Sequence, residues 1–227
     1  MSDDDQFIQA LALSIDPAWR RQPAEARLAD VAALTEAEAC APADGVTSYS
    51  YSLVGLTAGA DLLLWRLGPS LDALEGAAAR LLRAGAGRWA SVSHSFIGRI
   101  SPSQYVAKPT SQEQSLFAGE RSRYLVVYPF VKTTEWYLLG REARQGIMNE
   151  HMRIGHDYPT IRQLLAYSFG LDDQDFVVAY ETDDLVAFGD LVRALRGSDS
   201  RRSTVRDTPV LVGLHRPIET VLTGLGG

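Results

Sequence analysis

His151 is the residue in this chain best placed to do chemistry. It lies on the apolar stripe Leu139, Ala143, Ile147, His151 of a helical pattern running from Glu135 to Ile154, one turn before Gly155. A buried imidazole needs a partner for each ring nitrogen. It is therefore either a core histidine bonded to backbone or carboxylate, or a metal ligand with one nitrogen on the ion and an acceptor for its other N–H. Glu181, at the end of a predicted strand, is a candidate acceptor, although a carboxylate beside Asp183 and Asp184 also reads as a solvated strand end. His156 is the rival ligand, in a position past Gly155 that suits an exposed or capping role. His94 and His215 are isolated and read as structural or exposed.

Tyr128 and Lys132 sit four residues apart in one β-rich run, so their side chains leave the same face about 13 Å apart at roughly 3.3 Å per residue. That span suits one porphyrin, with Lys132 at a propionate and Tyr128 beside another edge. It equally describes a core tyrosine and a solvated lysine in an ordinary strand. Gln163 falls on the apolar face Ile161, Gln163, Leu165, Tyr167, Phe169, where an amide needs a partner. Arg162 points the other way, and a register slip of one residue exchanges the two. Trp136 and Tyr137 open the helical pattern and serve as core or as the wall of a cofactor pocket.

Two ferredoxin-like halves would position these residues. The second half reads as strand Arg123 to Lys132, helix Glu135 to Ile154, strands Thr160 to Phe169 and Asp175 to Glu181, helix Asp184 to Arg196 and strand Pro209 to Gly213. The first half repeats the order with strand Phe7 to Ser14, helix Ala24 to Ala37, strands Val46 to Val54 and Asp61 to Leu67, helix Leu71 to Arg83 and strand Trp89 to Ile100. The expected fold is thus α+β, two tandem βαββαβ halves (1–110 and 111–227) with antiparallel sheets and helices outside. Ser101 to Gly119 reads as a linker and Ser198 to Thr208 as a polar loop.

Composition removes several function classes. Hydrophobic residues make up 46% and charged residues 22% of the 227 residues, which describes a globular chain rather than a disordered one. The formal net charge of −6, with no Lys/Arg block, gives no reason to expect a nucleic-acid or anionic membrane surface. A single cysteine excludes an internal disulfide framework and a Cys-rich metal site. The acidic N-terminus Met1-Ser2-Asp3-Asp4-Asp5 is unlike a secretory signal, no run approaches a membrane span, and a cytoplasmic address is expected.

The pieces Tyr128-Pro129-Phe130-Val131-Lys132, Glu135-Trp136-Tyr137, Asn149-Glu150-His151, Gly170-Leu171-Asp172-Asp173 and Tyr180-Glu181-Thr182-Asp183-Asp184 resemble, in order and spacing, the C-terminal half of the chlorite dismutase and coproheme decarboxylase superfamily. The likeness covers about residues 123 to 213; the first half resembles the family in length and element order. It implies a homo-oligomer, often a pentamer, with haem b or iron-coproporphyrin III in the C-terminal half. By motif position it implies His151 as proximal ligand, Glu181 as its hydrogen-bond partner, Lys132 as a propionate contact and Trp136 as part of the haem wall. Chlorite dismutases carry a distal arginine, whose counterpart here is Gln163 by counting back from Gly170, with Arg162 as the neighbour one residue away. Coproheme decarboxylases place a tyrosine, a lysine and a glutamine where this chain has Tyr128, Lys132 and Gln163. In that family peroxide drives a tyrosyl radical that takes two propionates to vinyl groups, giving haem b. The chain departs from it in lacking an insertion between Lys132 and Trp136, and Arg121 or Arg123 stand in for the arginine that grips a propionate. The favoured expectation is a haem-dependent oxidoreductase of decarboxylase type acting on coproporphyrin with peroxide. Chlorite dismutation is the alternative, and a haem carrier or sensor the third.

Overall fold

The computed structural model describes residues 6–101, 105 and 119–227. They fall into two compact units, Met1–Ile100 with Leu211–Gly227, and Ser101–Val210. In the first unit, β1 (Gln6–Ile15), α1 (Ala24–Ala39), β2 (Thr47–Thr57), β3 (Ala60–Gly68), α2 (Leu71–Arg83) and β4 (Ala90–Ile100) follow the expected βαββαβ order. The strands pair antiparallel in the order β4-β1-β3-β2. One face of this sheet, through Leu11, Leu13, Leu62 and Leu64, shares a core with Val31 and Leu34 of α1 and Leu81 of α2. Each such fully buried leucine contributes roughly 2 kcal/mol, so this face alone fixes the register of the central pair.

The second unit holds the candidate residues. It comprises β5 (Tyr124–Lys132), α3 (Thr134–Leu138), α4 (Arg141–His156), β6 (Arg162–Tyr167), β7 (Phe176–Thr182), α5 (Leu185–Arg196) and β8 (Thr204–Arg206). Antiparallel pairing gives the order β6-β7-β5-β8, the same permutation as in the first unit. Gly170 makes the turn between β6 and β7 with φ +72°, a conformation that favours glycine. Asp184 caps α5 by accepting from the N–H groups of Val186 and Ala187.

Two expectations need correction. The helix foreseen over Glu135 to Ile154 is two helices, because Leu139 and Gly140 are extended and break the ladder. Leu139 therefore does not share a continuous stripe with His151. The closing strand of this half is β8, inside the segment read as a loop; its Arg206 and Thr204 pair with Val131 and Lys132. The segment foreseen as that strand becomes β9 (Leu211–His215), which adds to the first unit's sheet through Tyr51↔His215 and Ser52↔Leu214. Gly213 permits the approach, since a Cβ there would lie 2.7 Å from Tyr51 Cβ. The chain then ends in α6 (Ile218–Gly224), whose Ile218, Val221 and Leu222 complete the first unit's core.

Candidate functional site

Strand alternation divides the candidates between the two faces of the second unit's sheet. Val126 pairs with Tyr180 and Tyr180 with Gln163, so Tyr128, Phe130 and Lys132 of β5, Tyr180 and Val178 of β7, and Gln163 and Leu165 of β6 share one face. Leu125 pairs with Glu181 and Glu181 with Arg162, which places these on the other face. That second face is closed: Leu125, Val127, Val177, Ala179 and Ala166 are fully buried. The first is half-open, with Tyr128, Phe130, Lys132, Gln163 and Tyr167 partly exposed and Leu165 exposed.

On the closed face Glu181 has no exposed surface and meets two guanidiniums, Arg162 Nη2 at 2.5 Å and Arg121 Nη1 at 3.4 Å. This corrects the expectation that Glu181 would accept from His151. Its place opposite Arg162 and next to Tyr180 turns the carboxylate away from the face that carries Tyr128 and Lys132. Removing one partner of a buried ion pair leaves uncompensated charge, so Glu181→Ala should cost about 3 kcal/mol of stability, read as a lowered denaturation midpoint. The same variant should leave the absorption spectrum of a bound porphyrin unchanged, because the carboxylate lies behind the sheet.

His151 projects from α4 among groups of the open face. Its Nδ1 lies 3.1 Å from Ser200 Oγ, in the 3₁₀ turn Asp199–Ser203. Burial, and then the Lys132 ammonium, push the imidazole down to about 4, with Glu150 opposing. The ring is therefore neutral at physiological pH, as a metal ligand must be. Ser200 also accepts from Lys132: Nζ reaches its backbone carbonyl at 3.3 Å. One short turn thus gathers His151 and Lys132.

Lys132 is one of only two lysines in the chain. Its ammonium sits 4.4 Å from the centre of the Trp136 ring and 5.2 Å from that of Phe130, and its side-chain hydrogen bond goes to a neutral carbonyl. Burial, and then Arg201, lower its pKa to about 8. A half-buried cation whose contacts are two rings and a carbonyl is ready for an external anion. The sign of its effect on stability follows. Between about 8 and its unfolded value of 10.5 the unfolded chain binds a proton that the folded chain lacks, so stability rises with pH there. Replacing Lys132 by Met should flatten that rise and stabilise the ligand-free protein at pH 7 by roughly 2 kcal/mol, allowing for partial exposure. Urea denaturation between pH 7 and 9.5 checks it. The interval stays below the titration of Tyr128 and Tyr180, which are both raised, primarily by burial.

Trp136 is 3% exposed and packs edge-on to Tyr105, so it is a fixed wall beside Lys132. Tyr128 lies against Tyr180 with ring centroids 6.2 Å apart, and Tyr180 in turn contacts Phe188 of α5. The Tyr128 hydroxyl is held well above its ordinary pKa, by burial first and then by the Tyr180 hydroxyl, and remains a phenol. His156 is exposed at the end of α4, while His94 and His215 lie on β4 and β9 of the other unit.

Ser198, Ser200, Tyr180 and Arg201 are site residues that the sequence reading did not single out. Ser198 and Ser200 fall in a segment without periodicity. Tyr180 had a signal, as the neighbour of Glu181 in an alternating strand.

These residues suit a porphyrin. Nδ1 of His151 is occupied by Ser200, which leaves Nε2 as the metal-binding nitrogen. Gly155, one turn further along the same face of α4, would place a Cβ with nothing within 4 Å, and no side chain of α4 is fully buried. The helix thus presents an imidazole to the same short turn that holds the Lys132 ammonium, which lies against Trp136 and Phe130.

Comparison with known proteins shows the family. A family model described as chlorite dismutase matches residues 24–216. The chain belongs to the chlorite dismutase family. It is 32% identical over 177 residues to a coproheme decarboxylase of Mycolicibacterium smegmatis, covering 77% of this chain and 75% of that one. It is 29% identical over 152 residues to the chlorite dismutase of Ideonella dechloratans, covering 61% and 52%. Chlorite dismutase from Candidatus Nitrospira defluvii, solved in complex with imidazole, superposes with a TM-score of 0.86 at 28% identity, over 100% of this chain and 97% of that one. Membership of the chlorite dismutase family agrees with the α+β fold and with the expected enzyme class, a haem-dependent oxidoreductase of the chlorite dismutase and coproheme decarboxylase type. Among the described residues no helix is long and apolar enough to cross a membrane.

Proposed function

We propose that this chain is a coproheme decarboxylase, taking iron-coproporphyrin III and peroxide to haem b, and that it works as a homo-oligomer in the cytoplasm. One observation carries the choice: the amide Gln163 shares the open face with Tyr128 and Lys132, while Arg162 is bound to Glu181 on the closed face. Chlorite dismutases carry a distal arginine that helps to hold the oxyanion, and the residue that shares the open face here is a neutral amide. His151 would hold the iron through Nε2, Trp136 would wall the ring, and Lys132 would pair with a propionate that supplies a counter-charge. Iron, when bound, supplies the redox centre that peroxide oxidises.

The residues then act on a substrate that is also the cofactor. Each of the two reacting propionates loses carbon dioxide and two hydrogens to become a vinyl group, and each pair of hydrogens reduces one peroxide to two waters. Tyr128, a phenol on the open face, would first give up an electron and a proton in the oxidation that peroxide drives, and the phenoxyl radical so formed would take the first hydrogen from the propionate and regain its O–H. Lys132 orients the reacting propionate, and Gln163 offers an uncharged donor on the peroxide side. Adding peroxide to the purified coproporphyrin complex and following mass should show two successive losses of carbon dioxide. Unchanged mass would end this reading; oxygen evolved from chlorite by the haem b complex would establish the dismutase instead. Tight haem binding with neither reaction would leave a carrier.

A further inference from the structure

The two serines of the turn after α5 form a directed chain. Ser198 Oγ lies 2.7 Å from the carbonyl of Leu195, which can only accept, so Ser198 spends its proton there. Ser200 Oγ lies 2.8 Å from Ser198 Oγ, and the one proton left for that bond is the Ser200 hydroxyl's. Ser200 has then no proton to give to His151, 3.1 Å away, and must accept from Nδ1–H. Both serines are 5% exposed, so water does not readily substitute for a missing partner. The opposite tautomer would force Ser200 to donate to Nδ1 and leave two oxygens 2.8 Å apart with no hydrogen between them.

We infer that Ser198 and Ser200 are positioning residues that lock His151 as its Nδ1–H tautomer, so that the metal meets a neutral imidazole through Nε2. This rests on the reading of His151 as the iron ligand. A carboxylate acceptor would draw the Nδ1 proton away and make the imidazole more anionic. A hydroxyl whose own proton is committed does not. The chain therefore holds an iron with weaker electron donation from its ligand than a carboxylate-backed histidine gives, and with a correspondingly higher reduction potential. Lys132, bound to the Ser200 carbonyl, holds the turn at the required distance from α4.

Two measurements test it. In the metal-free full-length protein at pH 7, long-range nitrogen–proton correlation spectra of His151 should show Nδ1 protonated in the wild type. Ser200→Thr should keep that pattern, and Ser198→Ala should give a mixture as the Ser200 hydroxyl becomes free to donate. A wild-type ring protonated on Nε2 would overturn the inference. In the ferrous haem complex, Ser200→Asp should raise the iron–histidine stretching frequency and lower the reduction potential, with Ser200→Ala unable to do either. If the ring carries its proton on Nδ1 while the iron ignores Ser200→Asp, the serine chain stands and the assignment of His151 to iron falls.

Discussion

Replacing His151 by alanine should abolish histidine ligation of the bound porphyrin and weaken its binding by at least about 100-fold, near 3 kcal/mol. The expectation rests on the ring's place: Nδ1 held by Ser200, a pKa near 4 that keeps it neutral, and open space one turn along the helix at Gly155. Absorption of the reconstituted variant should lose the wild-type band pattern. Imidazole added to the solution should restore it, because the small ring can enter the space left by the side chain and be held by the same serine. A histidine that merely packed the helix would give the reverse: a less stable protein with unaltered bands and no response to imidazole. Unaltered bands would transfer the ligand role to His156, although its exposure at the helix end gives it no comparable support.

The parts of the site that could be read from the chain are those set by short periods. Four-residue spacing along a strand puts Tyr128 and Lys132 together whatever the tertiary fold, and a period of two opposes Gln163 to Arg162. Which of that pair shares a face with Tyr128 depends on register, which sequence leaves free; here the pairing of Arg162 with Glu181 and of Gln163 with Tyr180 puts Gln163 there. The same parity explains the error over Glu181. It is the neighbour of Tyr180, and once Tyr180 stacks on Tyr128 the carboxylate must point to the closed face. The partner of His151 Nδ1 is instead Ser200, from a turn whose Arg/Ser-rich sequence looks like any solvated loop. The three-residue β8 was hidden for the same reason: Val205 and Arg206 are exposed at the sheet's edge, so burial leaves no pattern in them. The break between α3 and α4 has a visible cause in Gly140, but an apolar stripe that continued across it outweighed one glycine.

Tyr128→Phe should leave coproporphyrin binding within a few-fold of wild type and slow the loss of carbon dioxide by at least about 1,000-fold, or some 4 kcal/mol of barrier. Phenylalanine keeps the ring that stacks on Tyr180 and so preserves the wall of the pocket; only the hydroxyl goes. That hydroxyl is the part that matters if the residue removes a hydrogen from the propionate, since a phenyl ring offers no O–H bond to remake. Under the proposed function binding would depend instead on His151 and on Lys132, whose charge the variant does not touch. Mass spectrometry of the peroxide-treated complex reads the reaction, and titration by absorption reads the binding. Equal losses in both would mean that Tyr128 shapes the pocket without entering the reaction. A Tyr180→Phe variant separates the two phenols. Tyr180 lies on the same face but deeper, 5% exposed, so its loss should slow the reaction by a smaller factor. If instead Tyr180→Phe were the crippling change and Tyr128→Phe mild, the reactive hydroxyl would be the inner one, and the propionate would have to enter more deeply between β5 and α5 than the partly exposed position of Tyr128 requires.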